Sequence, residues 1–236
     1  TQTIILAAGN GSRLGSHTSG VPKPLVTVAD RPLVAHALEH AKRSGCREAV
    51  IVIGYESERV RSAVEALDTG MQIQFVFNPD TSVPNGMSLL AAASSAASVF
   101  FLQMVDHLFA GEALRKLVTV PLANGEEGRV LVDRDPRELD LEDATKVRVR
   151  GDRVTAIGKN LEPWDAVDAG CFVLTPAIFE ALRQVSGDRE RTVSSGMRRL
   201  VERGSLGAVD VEGLRWVDLD TPADHETAVR LLQRRR

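Results

Sequence analysis

Cysteine, lysine and aromatic residues are all scarce in this 236-residue chain. Its two cysteines, Cys46 and Cys171, lie far apart and outside any Cys-x-x-Cys spacing. Two thiols build neither a disulfide framework nor a four-cysteine zinc site, so a reducing cytoplasm is expected. One Tyr and two Trp are too few for an obvious aromatic cage around a quaternary ammonium. Charge of one sign is lacking too: 29 basic against 32 acidic residues leave a net charge of −3. Without a clustered basic surface to displace counterions, no nucleic-acid partner is expected. The most apolar stretch, 89–105, is broken by Ser94, Ser95, Ser98 and Gln103. It is too short and too polar for a bilayer span, so no membrane contact by this domain is expected. No charged-then-apolar leader is visible, in keeping with the cytoplasmic expectation. The closing Arg234-Arg235-Arg236 suits a solvated tail or a junction, and both fusion to a second module and a homodimer stay open.

What is present is an ordinary soluble composition, 43% hydrophobic and 26% charged. The length allows one sizeable core, and a single domain over 1–236 is expected. Apolar runs alternate with helical spacings: strands at 3–7, 48–53, 72–77 and 99–104, helices at 32–44, 58–67 and 88–97. This rhythm predicts an α/β protein with a mostly parallel central sheet flanked by helices. From about 125 to 170 the pattern changes to short strands at 129–132, 146–149 and 154–157, which predicts a small antiparallel hairpin region. A strand at 171–174, helices at 176–183 and 192–202, and a strand at 206–211 follow. Thr221 is placed to cap, and Pro222 to begin, a final helix reaching about 232.

The first strand ends in Leu6-Ala7-Ala8-Gly9-Asn10-Gly11-Ser12-Arg13. A dinucleotide fingerprint should open directly into a helix, but Gly15, Gly20, Pro22 and Pro24 prevent one. A Walker loop needs Lys and then Ser or Thr after Gly20, where Val21 and Pro22 stand instead. The remaining reading is a loop whose backbone N–H groups wrap a nucleoside triphosphate at the carboxyl end of a strand. Gly9 and Gly11 permit close approach there, while Arg13 and Lys23 supply positive charge. Lysine usage supports this, since the chain keeps 5 Lys against 24 Arg. A lysine that persists offers a compact point charge rather than a planar fork. Lys23 is held between Pro22 and Pro24, and Lys146 and Lys159 flank the hairpin region.

LAAGNGSRL followed by VPKPL resembles the signature of the nucleotidyltransferases that activate sugars and alcohols with an NTP. Asn85-Gly86-Met87-Ser88 resembles the base-and-ribose segment of the cytidylyltransferase branch, and Asp106-His107 its metal-binding aspartate. Three later stretches are similar to the CTP:inositol-1-phosphate cytidylyltransferases: Asp140 to Lys146, Ile157-Gly158-Lys159, and Trp164 to Gly170. In that group the domain is often fused to a membrane synthase. Phosphonate-activating cytidylyltransferases look much alike. Ala169 stands where a hydroxyl residue is common, and Trp164 where a tyrosine is.

The resemblance implies a Rossmann-like nucleotidyltransferase fold and a Mg²⁺-dependent enzyme joining CTP to inositol 1-phosphate or, alternatively, to a phosphonate (2-hydroxyethyl- or 2-aminoethylphosphonate), another phospho-alcohol or a sugar phosphate. A regulatory module that binds a nucleotide without chemistry is the rival of another class. Lys23 and Arg13 are the expected catalytic residues, on the α-phosphate and on the departing pyrophosphate. Leu6 to Arg13, Lys23, Asn85, Gly86, Ser88 and Asp106 are expected around the nucleotide. Asp106 and Asp220 are expected to hold the metal, with Asp218 as a rival to Asp220. His107, Lys146, Lys159, Asp168 and Gly170 are expected at the acceptor, which the hairpin region would bind.

Overall fold

The structure, a computed structural model, describes residues 1–11, 14, 20–119, 121–137 and 139–233. Strand β1 (Gln2–Ala7) is buried along its whole length, as befits a central strand covered on both faces. A 3-10 turn at Lys23–Leu25 leads into a small hairpin, β2 (Thr27–Val28) with β3 (Arg31–Pro32). Helix α1 (Leu33–Arg43), strand β4 (Glu48–Ile53), helix α2 (Ser57–Glu65), strand β5 (Gln72–Phe77), helix α3 (Asn85–Ala91) and strand β6 (Phe100–Met104) follow. Strands β4 and β6 run parallel to β1 on either side, and β5 lies parallel outside β4.

The second half contains β7 (His107–Phe109), α4 (Ala113–Lys116), β8 (Gly128–Asp133), β9 (Lys146–Arg150), β10 (Arg153–Gly158) and β11 (Ala166–Leu174). After these come α5 (Ala177–Arg183), α6 (Val193–Glu202), β12 (Leu206–Asp210), β13 (Trp216–Asp218) and α7 (Pro222–Gln233). Among the described residues the main sheet has the order β5-β4-β1-β6-β11-β8-β12-β10-β9. Strand β11 is antiparallel to both β6 and β8, and its first residues also pair with β9. The last five strands therefore close on themselves, continuous with the parallel half rather than appended to it. That is more antiparallel structure than a hairpin, because β11 is long enough to meet three neighbours.

Alternation along β1 divides the core into layers. Ile4 and Leu6 pack with Leu89, Ile178 and Leu200 from α3, α5 and α6. Ile5 and Ala7 pack with Leu33, Val60 and Leu231 from α1, α2 and α7. A third cluster gathers Phe101, Leu131, Cys171 and Trp216 beside α4. Both cysteines are free and buried. Among the described residues no helix is long and apolar enough to cross a membrane.

Two elements depart from the expected boundaries. The helix expected at 88–97 starts at Asn85 and gives way after Ala91 to a 3-10 turn. Gly86 permits the early start, because a Cβ there would collide with the backbone of Arg191 and Thr192. Strand β11 begins at Ala166 rather than 171, with Asp168 and Gly170 absorbed in a bulge against β8. Helix α7 starts as expected, with Thr221 and Asp224 capping each other reciprocally: Asp224 Oδ2 accepts from the Thr221 N–H at 2.6 Å, and Thr221 Oγ1 from the Asp224 N–H at 3.3 Å.

Candidate active site

A cleft of about 630 Å³ opens at the carboxyl ends of β1 and β6, where open α/β sheets characteristically bind ligands. Leu6, Ala8 and Gly9 line it. Ala7 faces the opposite helical layer and Asn10 is exposed. Gly11 has φ +71° and its carbonyl accepts from the Leu14 N–H at 3.0 Å. Ser12 and Arg13 lie outside the described residues.

The 3-10 turn at Lys23–Leu25 buries the stem of Lys23 and aims its ammonium into the cleft. Nζ stands 2.5 Å from Asp106 Oδ2 and 2.6 Å from Asp220 Oδ1. Asp106 Oδ1 in turn accepts from His107 Nδ1 at 2.9 Å, and that nitrogen is 3.7 Å from Asp218 Oδ1. Five side chains thus alternate in charge: Asp220, Lys23, Asp106, His107, Asp218. Burial alone would depress the Lys23 pKa, but Asp106, Asp220 and Asp218 hold it above the ordinary lysine value. Burial would raise Asp106, yet Lys23 and the His107 hydrogen bond keep it well below the usual carboxylate range. Burial likewise opposes a charged His107, but Asp218, Asp106 and Asp168 raise it to about 9. Asp218 is pushed up to about 6 by burial, against the pull of His107.

His107 is fixed from both sides. Its ring stacks on Trp216 with centroids 5.5 Å apart, and Trp216 stacks on Phe109 at 5.9 Å. Trp216 Nε1 donates to Asp133 Oδ2 at 2.8 Å. On the other side lies Gly170, whose φ is +69° and whose missing Cβ would strike the His107 ring. The Gly170 N–H donates to Asp168 Oδ1 at 2.8 Å, so the β11 bulge aims Asp168 into the same cleft. Burial pushes Asp168 up to about 6, despite that hydrogen bond and His107.

Lys159 lines the mouth and pairs with Asp143, while Lys146 lies off the cleft and donates to the Lys159 carbonyl at 2.8 Å. Asn85 and Ser88 also line the cleft. Asn85 Oδ1 accepts from the Val193 N–H at the start of α6, at 2.9 Å. Ser88 Oγ accepts from Asn78 Nδ2 at 2.9 Å. Gly86 packs against the segment before α6 and does not border the cleft.

The donor set suits a hard divalent cation. Asp106, His107 and Asp218 each bring one ligand-type atom within 4.8 Å of the others. Asp218 Oδ1 is buried without a hydrogen-bond partner among the described residues. Carboxylate oxygens are the ligands Mg²⁺ prefers. His107 Nδ1 is hydrogen-bonded to one of these carboxylates, Asp106.

Trp216, Asp133 and Asp143 were not foreseen at the site. The only trace of Trp216 is its place two residues before Asp218 in an alternating run. Its bond to Asp133, 83 residues away, leaves no mark in either segment.

A parallel β1, β4, β5, β6 unit with a glycine loop, a buried lysine and a carboxylate cluster at its carboxyl ends defines a nucleotide-handling α/β protein. Residues 3–211 match the family model described as the MobA-like NTP transferase domain, and the chain belongs to that family. It is 37% identical over 225 residues, 93% of this chain and 49% of the other, to the bifunctional IPC transferase and DIPP synthase of Rubrobacter xylanophilus. It is 32% identical to the CMP-5'-(3-aminopropyl)phosphonate synthase of Streptomyces rubellomurinus, over 96% of this chain and 38% of that protein. The chain spans about half the length of the bifunctional relatives it matches. The structure of the inositol-1-phosphate CTP transferase from T. maritima superposes with a TM-score of 0.91, covering 99% of this chain and 95% of that one at 24% identity. The fold is thus the Rossmann-like nucleotidyltransferase fold, as expected.

Proposed function

We propose that this domain is a Mg²⁺-dependent cytidylyltransferase that joins CTP to inositol 1-phosphate, giving CDP-inositol and pyrophosphate. The observation that carries this reading is the single cleft in which Gly9, Lys23, Asp106, Lys159 and Asp168 meet. The names of the bifunctional relatives, and of the T. maritima enzyme with the same fold, support the choice of acceptor.

The acceptor phosphate is anionic near neutral pH, so no general base is needed to make the nucleophile. One of its oxygens attacks the α-phosphorus of CTP, and the bond to the bridging oxygen of the departing pyrophosphate breaks. Alignment and charge neutralisation then supply the catalysis. Lys23 draws the α-phosphate and the attacking phosphate together. Gly9 and Gly11 let the loop backbone close on the triphosphate, and Arg13 meets its β and γ groups. Asn85 and Ser88 face the base and ribose. Lys159 receives the acceptor phosphate with Lys146 behind it, and Asp168, oriented by Gly170, takes ring hydroxyls beside His107. A Mg²⁺ ion held by Asp106 with Asp220 or Asp218 would neutralise phosphate charge. A cytoplasmic location belongs to the same proposal, and two free thiols support it.

The Streptomyces relative supports a second reading, with an aminoalkylphosphonate as acceptor. Pyrophosphate release with Mg²⁺, four NTPs and a panel of inositol 1-phosphate, aminoethyl- and hydroxyethylphosphonate, phosphocholine and glucose 1-phosphate tests both. One strong combination, CTP with inositol 1-phosphate, is expected. Tight CTP binding with no release from any acceptor would point instead to a regulatory nucleotide-binding module.

A further inference from the structure

We propose that Lys23 occupies, in the resting enzyme, the position between Asp106 and Asp220 that the divalent cation will take, so that the cation enters only together with a nucleotide phosphate. This rests on reading the cleft as a metal-assisted nucleotidyltransferase site, and it makes Lys23 the residue that sets the order of binding.

The geometry of the lysine is that of a bridging cation. Its ammonium contacts one oxygen from each of two carboxylates, at 2.5 and 2.6 Å, on segments joined only through the fold. Asp106 follows β6 and Asp220 precedes α7. A magnesium ion held by these carboxylates would need oxygen ligands at roughly 2.0–2.1 Å, several of them around it. An ammonium already in contact with both leaves no room for that shell, and its charge repels a second cation at short range.

The turn limits where Lys23 can go. Pro22 and Pro24 fix the backbone on either side, and the side chain is only 9% exposed. It cannot simply swing out into bulk water. The direction left open is the cleft, where Ala8 and Gly9 also lie. An anionic phosphate arriving there offers the ammonium a replacement partner. Lys23 then exchanges carboxylate oxygens for phosphate oxygens, keeping its proton, and both carboxylates lose that partner in the same step. Without the phosphate, a free cation must break two partly buried ion pairs with nothing to compensate the displaced lysine.

The test is Mn²⁺ binding to the full chain, followed by electron paramagnetic resonance, with no acceptor present. Wild type is compared with Lys23→Met, and wild type alone with wild type saturated with CMP or with cytidine, after correction for Mn²⁺ held by free CMP. Lys23→Met is expected to bind one Mn²⁺ at least tenfold more tightly than wild type. CMP is expected to tighten wild-type binding at least tenfold, and cytidine, lacking the phosphate, by less than twofold. Equal affinities of wild type and a folded Lys23→Met protein overturn the proposal, and so does a CMP effect no larger than that of cytidine. If Lys23→Met does not fold, the CMP and cytidine comparison decides alone. Neither readout depends on the acceptor, so failure of inositol 1-phosphate as a substrate leaves this test intact.

Discussion

His107 and Asp218 face each other as register partners in the antiparallel ribbon of β7 and β13, with Nδ1 3.7 Å from the Asp218 carboxylate. This ribbon carries the segment before the last helix back to the end of β6. Asp218 and Asp220 thereby join Lys23 and Asp106 at the carboxyl ends of the first parallel strands. The result is a row of alternating charges whose members depend on one another.

Lys23 is the member whose loss should be felt most. Lys23→Met removes the cation that Asp106 and Asp220 share in a partly buried site, a change that costs about 3 kcal/mol in comparable buried pairs. Turnover should fall by about a hundredfold or more, as on removal of a preorganised charge. Urea unfolding and pyrophosphate release measure the two effects. Wild-type turnover in a folded variant would contradict the assigned role.

Two glycines separate function from folding. A Cβ on Gly9 meets nothing within 4 Å, and Gly9 has no left-handed φ. Gly9→Ala should therefore leave the melting temperature within about 2 °C, as a shift of a few tenths of a kcal/mol would. It should raise KM for CTP about tenfold, because its Cβ would project into the space proposed for the triphosphate. Gly170→Ala combines a left-handed φ with a collision against His107. It should lose about 2 kcal/mol or more, against about 1 kcal/mol for Gly125→Ala, where φ is also positive but space is open. Thermal unfolding of the three variants checks the ranking.

Lys23 and Asp106 were legible because each breaks a local rule: a lysine pinned by two prolines after a glycine loop, and a carboxylate directly after a buried apolar strand. The parallel half of the sheet was legible for a similar reason, since strands buried on both faces read as continuous apolar runs. The closure of β11 on β9 was not, because Asp168 and Gly170 interrupt the apolar run and conceal where the strand begins. Nor was the stacking of His40 on Phe109, with centroids 5.2 Å apart. Such contacts are set by tertiary packing, and neither partner's neighbours in sequence announce them.

Asp168 should report its burial through pH. Its pKa of about 6 in the folded protein lies above the ordinary 3.8. The folded state therefore favours the protonated form; that stabilisation is complete below about pH 4 and is lost as pH rises through 6. Asp168→Asn keeps an oxygen for the Gly170 N–H and removes the titration. Its stability advantage over wild type should widen by about 1 kcal/mol between pH 5 and 7.5. Urea midpoints at the two pH values test the sign, and a gap that narrows contradicts it.

Trp216 and Asp133 should behave as a coupled pair. Trp216→Phe keeps the stack on His107 but leaves the buried Asp133 carboxylate without its indole donor. About 1–3 kcal/mol of stability should be lost. In a double-mutant cycle with Asp133→Asn the two losses should fall short of additive by about 1 kcal/mol. Strict additivity would show that the 2.8 Å bond does not couple them.

The most direct test of the central claim is a competition in one tube. CTP and Mg²⁺ are supplied with equal concentrations of inositol 1-phosphate and 2-aminoethylphosphonate, and the products are counted by ³¹P NMR at early conversion. The product ratio equals the ratio of kcat/KM for the two acceptors. CDP-inositol in large excess, abolished by Lys23→Met, is the predicted result. A predominance of the phosphonate-linked CMP product, or no cytidylylated product at all, would contradict the assignment of inositol 1-phosphate as the acceptor.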